Sequence, residues 1–286
     1  MPRKFNLRRL MCGLVTIAIV AIGGPADAQG TKTVISAGDI TYYAPYTFKD
    51  PTTGELMGFD RDILEAIAKK VGATVKWSEY SFADLLSFAP LKTGRVDVYA
   101  GAAMTDTPER RANGVSFIDF VYEPFVLFTL RAKADLFKDV DALCGKPVVV
   151  NRSGTATTLV KHWSDENCAK AGKPGVEILG SDSSATSLLM LKQGRAEASL
   201  NGAGSLSYLN RLEGNIYVPI GKPLNKNMYG MAVLSERKEF VEMLKKALDE
   251  LIADGTYSKL LQKWGLPDES SIGETSLINA GWSTAK

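Results

Sequence analysis

In the stretch RDILEAIAKKVG, Arg61 to Gly72, the apolar residues Ile63, Leu64, Ile67, Ala68 and Val71 recur every three or four positions and share one helical face. Asp60 is the expected N-cap of this helix and Gly72 its stop. TVISAG before it reads as a strand, and TVKWSEY after it alternates like one. ADLLSFAPLKTG predicts a further helix that Pro90 must disturb, and VDVYAGA a third strand. Strands alternating with helices imply a mostly parallel sheet covered on both faces, the α/β class. After Leu130 the scheme repeats: KPVVVNRSG as a strand, a helix from about Thr155 to Trp163, VEILG as a strand, SLLMLKQG as a helix and AEASLNG as a strand. LKTGRVDVYAGA and LKQGRAEASLNGA share a helix end, a Gly-Arg turn and an acidic strand start, which suggests two lobes built on one plan. Near the end, Phe240, Met243, Leu244, Ala247, Leu248 and Leu251, and then Tyr257, Leu260, Leu261 and Trp264, mark two amphipathic helices broken at Gly255 and packed as core.

The first 28 residues follow a different logic. Arg3, Lys4, Arg8 and Arg9 precede an apolar run from Leu10 to Ile22, and Ala26-Asp27-Ala28 has the small-x-small form of a cleavage site. Residues 1–28 are therefore expected to be a signal peptide, with Gln29 the first mature residue. The apolar run is 13 residues long, short of the roughly 20 that a membrane span needs. Cleavage changes the charge argument. The whole chain carries a net +2, and the leader contributes four positive charges and Asp27, so the mature chain stands at +2 − 3 = −1. That balance excludes the basic surface that nucleic acid or acidic lipid would attract. With 45% hydrophobic and 23% charged residues, the remainder is an ordinary globular composition, enough for two domains. Cys144 and Cys168 remain after cleavage, and an even pair in an exported protein is most simply a disulfide, with two free buried thiols as the alternative. The single histidine, His162, cannot build a His-rich metal site and is expected on a helix surface. No metal or cofactor is expected.

Two segments hold candidate chemistry. In MTDTPERR, Thr107 can cap a helix whose first residue is Pro108, because proline lacks the N–H that this position leaves unbonded. Arg110 then lies in the first turn. It is either an ordinary solvated side chain or a guanidinium fork aimed at a carboxylate. In NRSGTAT, Gly154 and Thr155 open a helix, which is either simply capped or exposes N–H donors to an anion.

YYAPYTF, GELMGFDRDILEAIAKKVG, TGRVDVYAG, MTDTPERR, LCGKPVVVNRSGTAT, LKQGRAE and LKKALDELIADGTYSKLLQKWG, taken in this order, resemble the landmarks of the family-3 solute-binding proteins of ABC importers, the polar amino-acid group. The resemblance covers nearly the whole mature chain. It implies a type II periplasmic binding protein: two lobes, each a mostly parallel sheet flanked by helices, joined by two crossover strands, with the ligand between them. The chain is then expected to cross near Glu123–Leu127 and again near Tyr229–Val233. Residues 29–123 would form the first part of lobe 1, 124–228 lobe 2, and 229–286 the return to lobe 1 with the C-terminal helices. The resemblance also favours the Cys144–Cys168 disulfide. It implies that Arg110 grips a ligand carboxylate with Thr105 and Ala103 adding contacts, that Tyr43 and Phe82 form aromatic walls, and that the Thr155 and Ala156 amides meet the carboxylate from lobe 2. The expected partners are a small carboxylate-bearing, amino-acid-like solute and a membrane ABC permease. The protein is expected to be a periplasmic monomer without nucleic-acid partners, and not an enzyme.

Two departures from the family pattern stand out. Many relatives place an aspartate where this chain has Gly202, to pair with the ligand's α-ammonium; either Asn201, a backbone carbonyl or Asp182 substitutes, or the ligand is not an ordinary α-amino acid. DVYAGAAMT is also one residue longer than usual, which implies a bulge that re-aims Ala102 and Ala103. Two other functions fit the same fold: a cyclohexadienyl dehydratase acting on prephenate or arogenate, and a sensor or accessory binding subunit outside transport.

Overall fold

The computed structural model describes residues 1–2, 33–101, 104–152 and 155–281. The expected leader, apart from Met1 and Pro2, lies outside the described residues, as does Ala103. The chain runs through strand β1 (Thr33–Asp39), a small sheet of β2 (Tyr42–Tyr43), β3 (Thr47–Lys49) and β4 (Leu56–Met57), helix α1 (Phe59–Lys70) and β5 (Ala73–Glu79). Short helices α2 (Phe82–Leu86) and α3 (Ala89–Lys92), β6 (Val98–Tyr99) and α4 (Pro108–Arg111) lead into the long strand β7 (Val115–Leu130). Then come β8 (Pro147–Asn151), α5 (Ala156–Ser164), β9 (Glu177–Ser181), α6 (Ser184–Lys192), β10 (Ala198–Gly202) and α7 (Ala203–Glu213). A second long strand, β11 (Tyr217–Leu234), returns to helices α8 (Lys238–Ala253) and α9 (Thr256–Trp264) and strand β12 (Leu277–Ile278).

The main sheet has the order β5-β1-β6-β11-β7-β10-β8-β9, with β12 on β7. Pairing is parallel towards both edges, β5 and β6 on β1 at one end and β9 and β10 on β8 at the other. The centre is antiparallel, where β7 and β11 pair over most of their length. These two strands are the crossovers. Apolar residues divide around them by position in the chain. One pair of clusters draws on residues 35–121 and 229–266, and three others on 126–220.

Several local expectations need correction. Asp60 is not the cap of α1. Gly58 is, at φ 142°, and Asp60 lies buried in the first turn with its N–H donating to the Tyr46 carbonyl oxygen at 2.9 Å. An acid there still faces the positive end of the helix dipole. ADLLSFAPLKTG divides into two helices, because Phe88 adopts φ 54° between them, and Pro90 falls in the first turn of α3 where its missing N–H is harmless. The strand expected over VDVYAGA stops at Tyr99; Gly101 turns away at φ 144°, and a Cβ there would come within 2.6 Å of Asp60 Oδ2. Gly72 at φ 73° and Gly255 at φ 77° end α1 and separate α8 from α9 as the sequence implies.

Cys144 and Cys168 form a disulfide, 24 residues apart in sequence, worth roughly 3 kcal/mol in the chain-entropy account. His162 is exposed on α5. Helix α7 packs across onto residues from both the early and the late parts of the chain. Ser205 Oγ donates to the Ala44 carbonyl oxygen at 2.9 Å, Arg211 Nη2 donates to that of Trp264 at 2.8 Å, and the Tyr208 ring lies 5.3 Å from Phe48. Among the described residues no helix is long and apolar enough to cross a membrane.

Candidate functional site

Thr107 caps α4 as its sequence implies: its hydroxyl accepts from the Arg110 N–H at 3.3 Å, and Pro108 opens the helix. The cap fixes the backbone from which two adjacent arginines leave in different directions. Arg111 is held by Asp106 Oδ2 at 3.2 Å and by the Asn279 carbonyl oxygen, so it pins the segment around Asn279 to the start of α4. Arg110 has a different set of neighbours. Its Nη1 donates to the Thr105 carbonyl oxygen at 2.7 Å and its guanidinium lies 5.8 Å from the Phe82 ring. It is half-buried, and burial lowers its pKa from the ordinary value. Among the described residues no carboxylate stands within ion-pairing distance of it. Asp106, Glu109 and the Tyr229 hydroxyl act on this guanidinium only through their charge and polarity, so a desolvated fork bonded to a single carbonyl keeps most of its donors for an external anion.

Four residues expected at the site thus come together. Thr105 is buried and bridges to Tyr229 on β11, and the Tyr229 hydroxyl lies 3.3 Å from that of Tyr43. Tyr43 stacks on Tyr46 at 5.5 Å and 14°, and Tyr46 meets Tyr229 edge-on at 5.5 Å and 72°. Arg110, Thr105, Phe82 and Tyr43 therefore surround one aromatic group. Tyr46 and Tyr229, which sequence reasoning did not single out, complete it. Their phenols are pushed well above the ordinary range, first by burial and then by neighbouring charge and hydroxyls. Thr155 and Ala156 stand at the N-terminus of α5 as expected, with Ala156 its first residue. Among the described residues no hydrogen bond or ring contact joins them to Arg110. Asn201 is buried and its Oδ1 accepts from the Gly202 N–H at 2.9 Å. Asp182 is exposed and paired with Arg152 at 3.0 Å.

Beside the tyrosines lies Glu123, from β7, wholly buried. Its Oε2 accepts from the Tyr46 hydroxyl and from the Gly204 N–H at 3.3 Å, and burial raises its pKa to about 8. It too was missed in the sequence, where it appears only as an acid before Pro124 in a long apolar strand.

A second buried acidic group braces the arginine turn. Asp119 on β7 accepts from the Ala280 N–H at 2.8 Å and faces Asp106, which accepts from Gly281 at 2.8 Å. Burial, and then the charge of Asp106, raise the Asp119 pKa from 3.8 to about 8. A carboxyl with a raised folded-state pKa contributes stability that is full below its unfolded value and is lost as pH climbs towards the folded one. The melting temperature of the native protein should therefore fall between pH 5 and pH 8.5. In Asp119→Asn, whose amide imitates the protonated acid, it should fall less, because up to about 1.4 kcal/mol per pH unit of proton linkage is gone. Parallel slopes in melts across this range would place the shared proton elsewhere.

Known proteins resemble this chain in sequence and in fold. An arginine-binding protein of Corynebacterium glutamicum is 28% identical over 254 residues, covering 88% of this chain and 80% of the relative. The histidine-binding periplasmic protein of Escherichia coli is 28% identical over 268 residues, covering 90% and 97%. A solved ancestral arginine-binding protein bound to arginine superposes with a TM-score of 0.66 at 30% identity, over 82% of this chain and 98% of that one. The fold is the two-lobed type II architecture of periplasmic binding proteins. Further relatives are named for binding cystine and, in an ABC transporter, glutamine, so solute binding is the role that the resemblance supports. Residues 35–267 match the bacterial extracellular solute-binding proteins, family 3, and the chain belongs to that family.

Proposed function

We propose that this protein captures a small α-amino-acid-like solute through its carboxylate, in a cleft between two lobes, and delivers it to the permease of an ABC importer after export through a cleaved leader. The observation that carries this reading is Arg110: a half-buried guanidinium, aligned by the Thr105 carbonyl and by Phe82, beside an arginine of the same turn that already has its acid. The relatives support the amino-acid class, since those compared above are named for arginine and histidine. The lobes would be residues 29–123 with 229–286 and residues 124–228, a division in keeping with the separate apolar clusters. The Thr155 and Ala156 amides at the start of α5, with Asn201, would meet the ligand from lobe 2, and Ala103 would add a contact from lobe 1. Contact with both lobes is what would favour closure, because only differential affinity shifts a conformational population.

A thermal-shift screen of the full chain against the common amino acids, opines, betaines and small carboxylates tests this. A ligand at about 100 times its Kd adds about 2.7 kcal/mol of stability. Stabilisation by one or a few α-amino acids is the expected outcome, and response to none of the carboxylates would refute it.

A further inference from the structure

We infer that Glu123, on β7 against Gly202 and the start of α7, receives the ligand's ammonium group. The inference rests on the function proposed above and names the second half of the same site.

Gly202 is the N-cap residue of α7, with φ −65°, ψ 143° and no side-chain cap. An aspartate there would accept from the N–H of the second or third helical residue. The second helical residue is Gly204, and its N–H donates instead to Glu123 Oε2 at 3.3 Å. The Glu123 carboxylate thus stands where the cap's own carboxylate would be. The two exclude each other: a Cβ built on Gly202 would overlap Glu123 Oε1 and lie 2.8 Å from its Cγ. Glycine at 202 is what makes room for the acid from 123. A side chain on Gly204 is shut out likewise, by the Tyr46 hydroxyl at 2.6 Å.

What the carboxylate does there is decided by its free oxygen. Oε1 is buried and, among the described residues, has no hydrogen-bond partner. No basic group figures among those acting on it, whose causes are burial, Tyr46, Gly204 and Ser205. A glutamine would satisfy the Tyr46 hydroxyl and the Gly204 N–H equally well, so those two bonds do not require an acid. An acid can add a negative charge, which burial suppresses until a cation arrives, and among the described residues no cation pairs with it. The surrounding rings of Tyr43, Tyr46 and Tyr229 suit one, since aromatic faces attract ammonium groups. Tyr229 also bridges to Thr105, the residue whose carbonyl holds Arg110. The carboxylate anchor and the ammonium anchor therefore flank one tyrosine, as the two ends of a single amino acid require. Asn201 and Asp182, the other candidates, are engaged by Gly202 and Arg152.

The test is calorimetry with matched pairs: each amino acid that stabilises the native protein, and the same molecule without its α-amino group, for instance L-arginine against 5-guanidinopentanoate and L-histidine against 3-(imidazol-4-yl)propanoate. The native protein should prefer the amine-bearing member. Glu123→Gln should weaken that member about 30-fold or more and leave the deaminated member within about threefold. The double variant E123A/G202D, which returns the acid to the helix cap, should restore the preference. Equal weakening of both members by E123Q would show a structural role and overturn the inference, as would an unchanged preference or a native protein that favours the deaminated members. If Arg110→Ala loses both members while E123Q changes neither, only the role of Glu123 falls. If the native protein binds no amino acid and no deaminated counterpart, both readings fall together.

Discussion

Replacing Arg110 by alanine is expected to weaken ligand binding by about 2–5 kcal/mol, from roughly 30-fold to several thousand-fold, while the fold stays intact. The loss is large because a desolvated carboxylate would be left without its charge partner. The fold is spared because little else depends on this side chain: Arg110 donates to one carbonyl and lies near one ring, and the helix that carries it is capped by Thr107 and opened by Pro108. Arg110→Lys should fall between the two, since an ammonium keeps the charge and loses the two-pronged geometry. The neighbouring residue supplies the control. Arg111→Ala removes contacts to Asp106 and to the Asn279 carbonyl, so it should lower the melting temperature with little change in affinity. Titration calorimetry with the amino acid that most stabilises the native protein reads the first effect, and unchanged affinity in Arg110→Ala would remove that residue from the site.

The contrast between these arginines shows what kind of information the sequence carried. The cap, the proline and the position of Arg110 are set within four residues, and local chemistry was enough to find them. The same holds for α1, for the paired helices around Gly255 and for the alternation of strands and helices, since each depends on periodicity and a turn residue. Glu123 depends on something else. It meets Gly204, 81 positions along the chain, and Tyr46, 77 positions back, and nothing in the local run VSFIDFVYEPF marks one acid as buried against a helix end. The one signal was indirect: a glycine at 202 where the family resemblance implies an acid, which asked where the missing charge had gone. Tyr229 was likewise hidden, because its role comes from a bridge to Thr105 across two strands. The proposed approach of Thr155 and Ala156 to Arg110 would be a matter of how two lobes close, and no local pattern encodes it. Asp60 was misread as a cap for a similar reason. Asp is a good cap by type, but the conformation that opens α1 is imposed on Gly58 by the turn at Tyr46, twelve residues earlier.

That glycine carries the other large effect. Gly58→Ala is expected to destabilise the protein by about 2–6 kcal/mol, from strain and overlap together. At φ 142° the residue occupies a region that side chains rarely enter. A Cβ there would overlap the Tyr46 carbonyl oxygen and lie 2.5 Å from its carbon and 2.8 Å from Thr47 Cα. These are backbone atoms, so no rotamer change relieves them. Moving them is costly at a second level, because the Tyr46 carbonyl accepts from the Asp60 N–H and the Tyr46 ring stacks on Tyr43 and reaches Glu123. A shift of β3 and the turn before it would therefore carry into the aromatic group between the two proposed anchors. Gly54→Ala is the matched control: it shares a positive φ, at 71°, but an added Cβ meets nothing within 4 Å, so only the modest conformational cost should appear. Denaturant melts of the two variants separate strain from overlap. Should Gly58→Ala unfold at the same denaturant concentration as Gly54→Ala, the clash with Tyr46 is relieved by an easy backbone adjustment, and the turn before α1 is not the rigid support that the aromatic site requires.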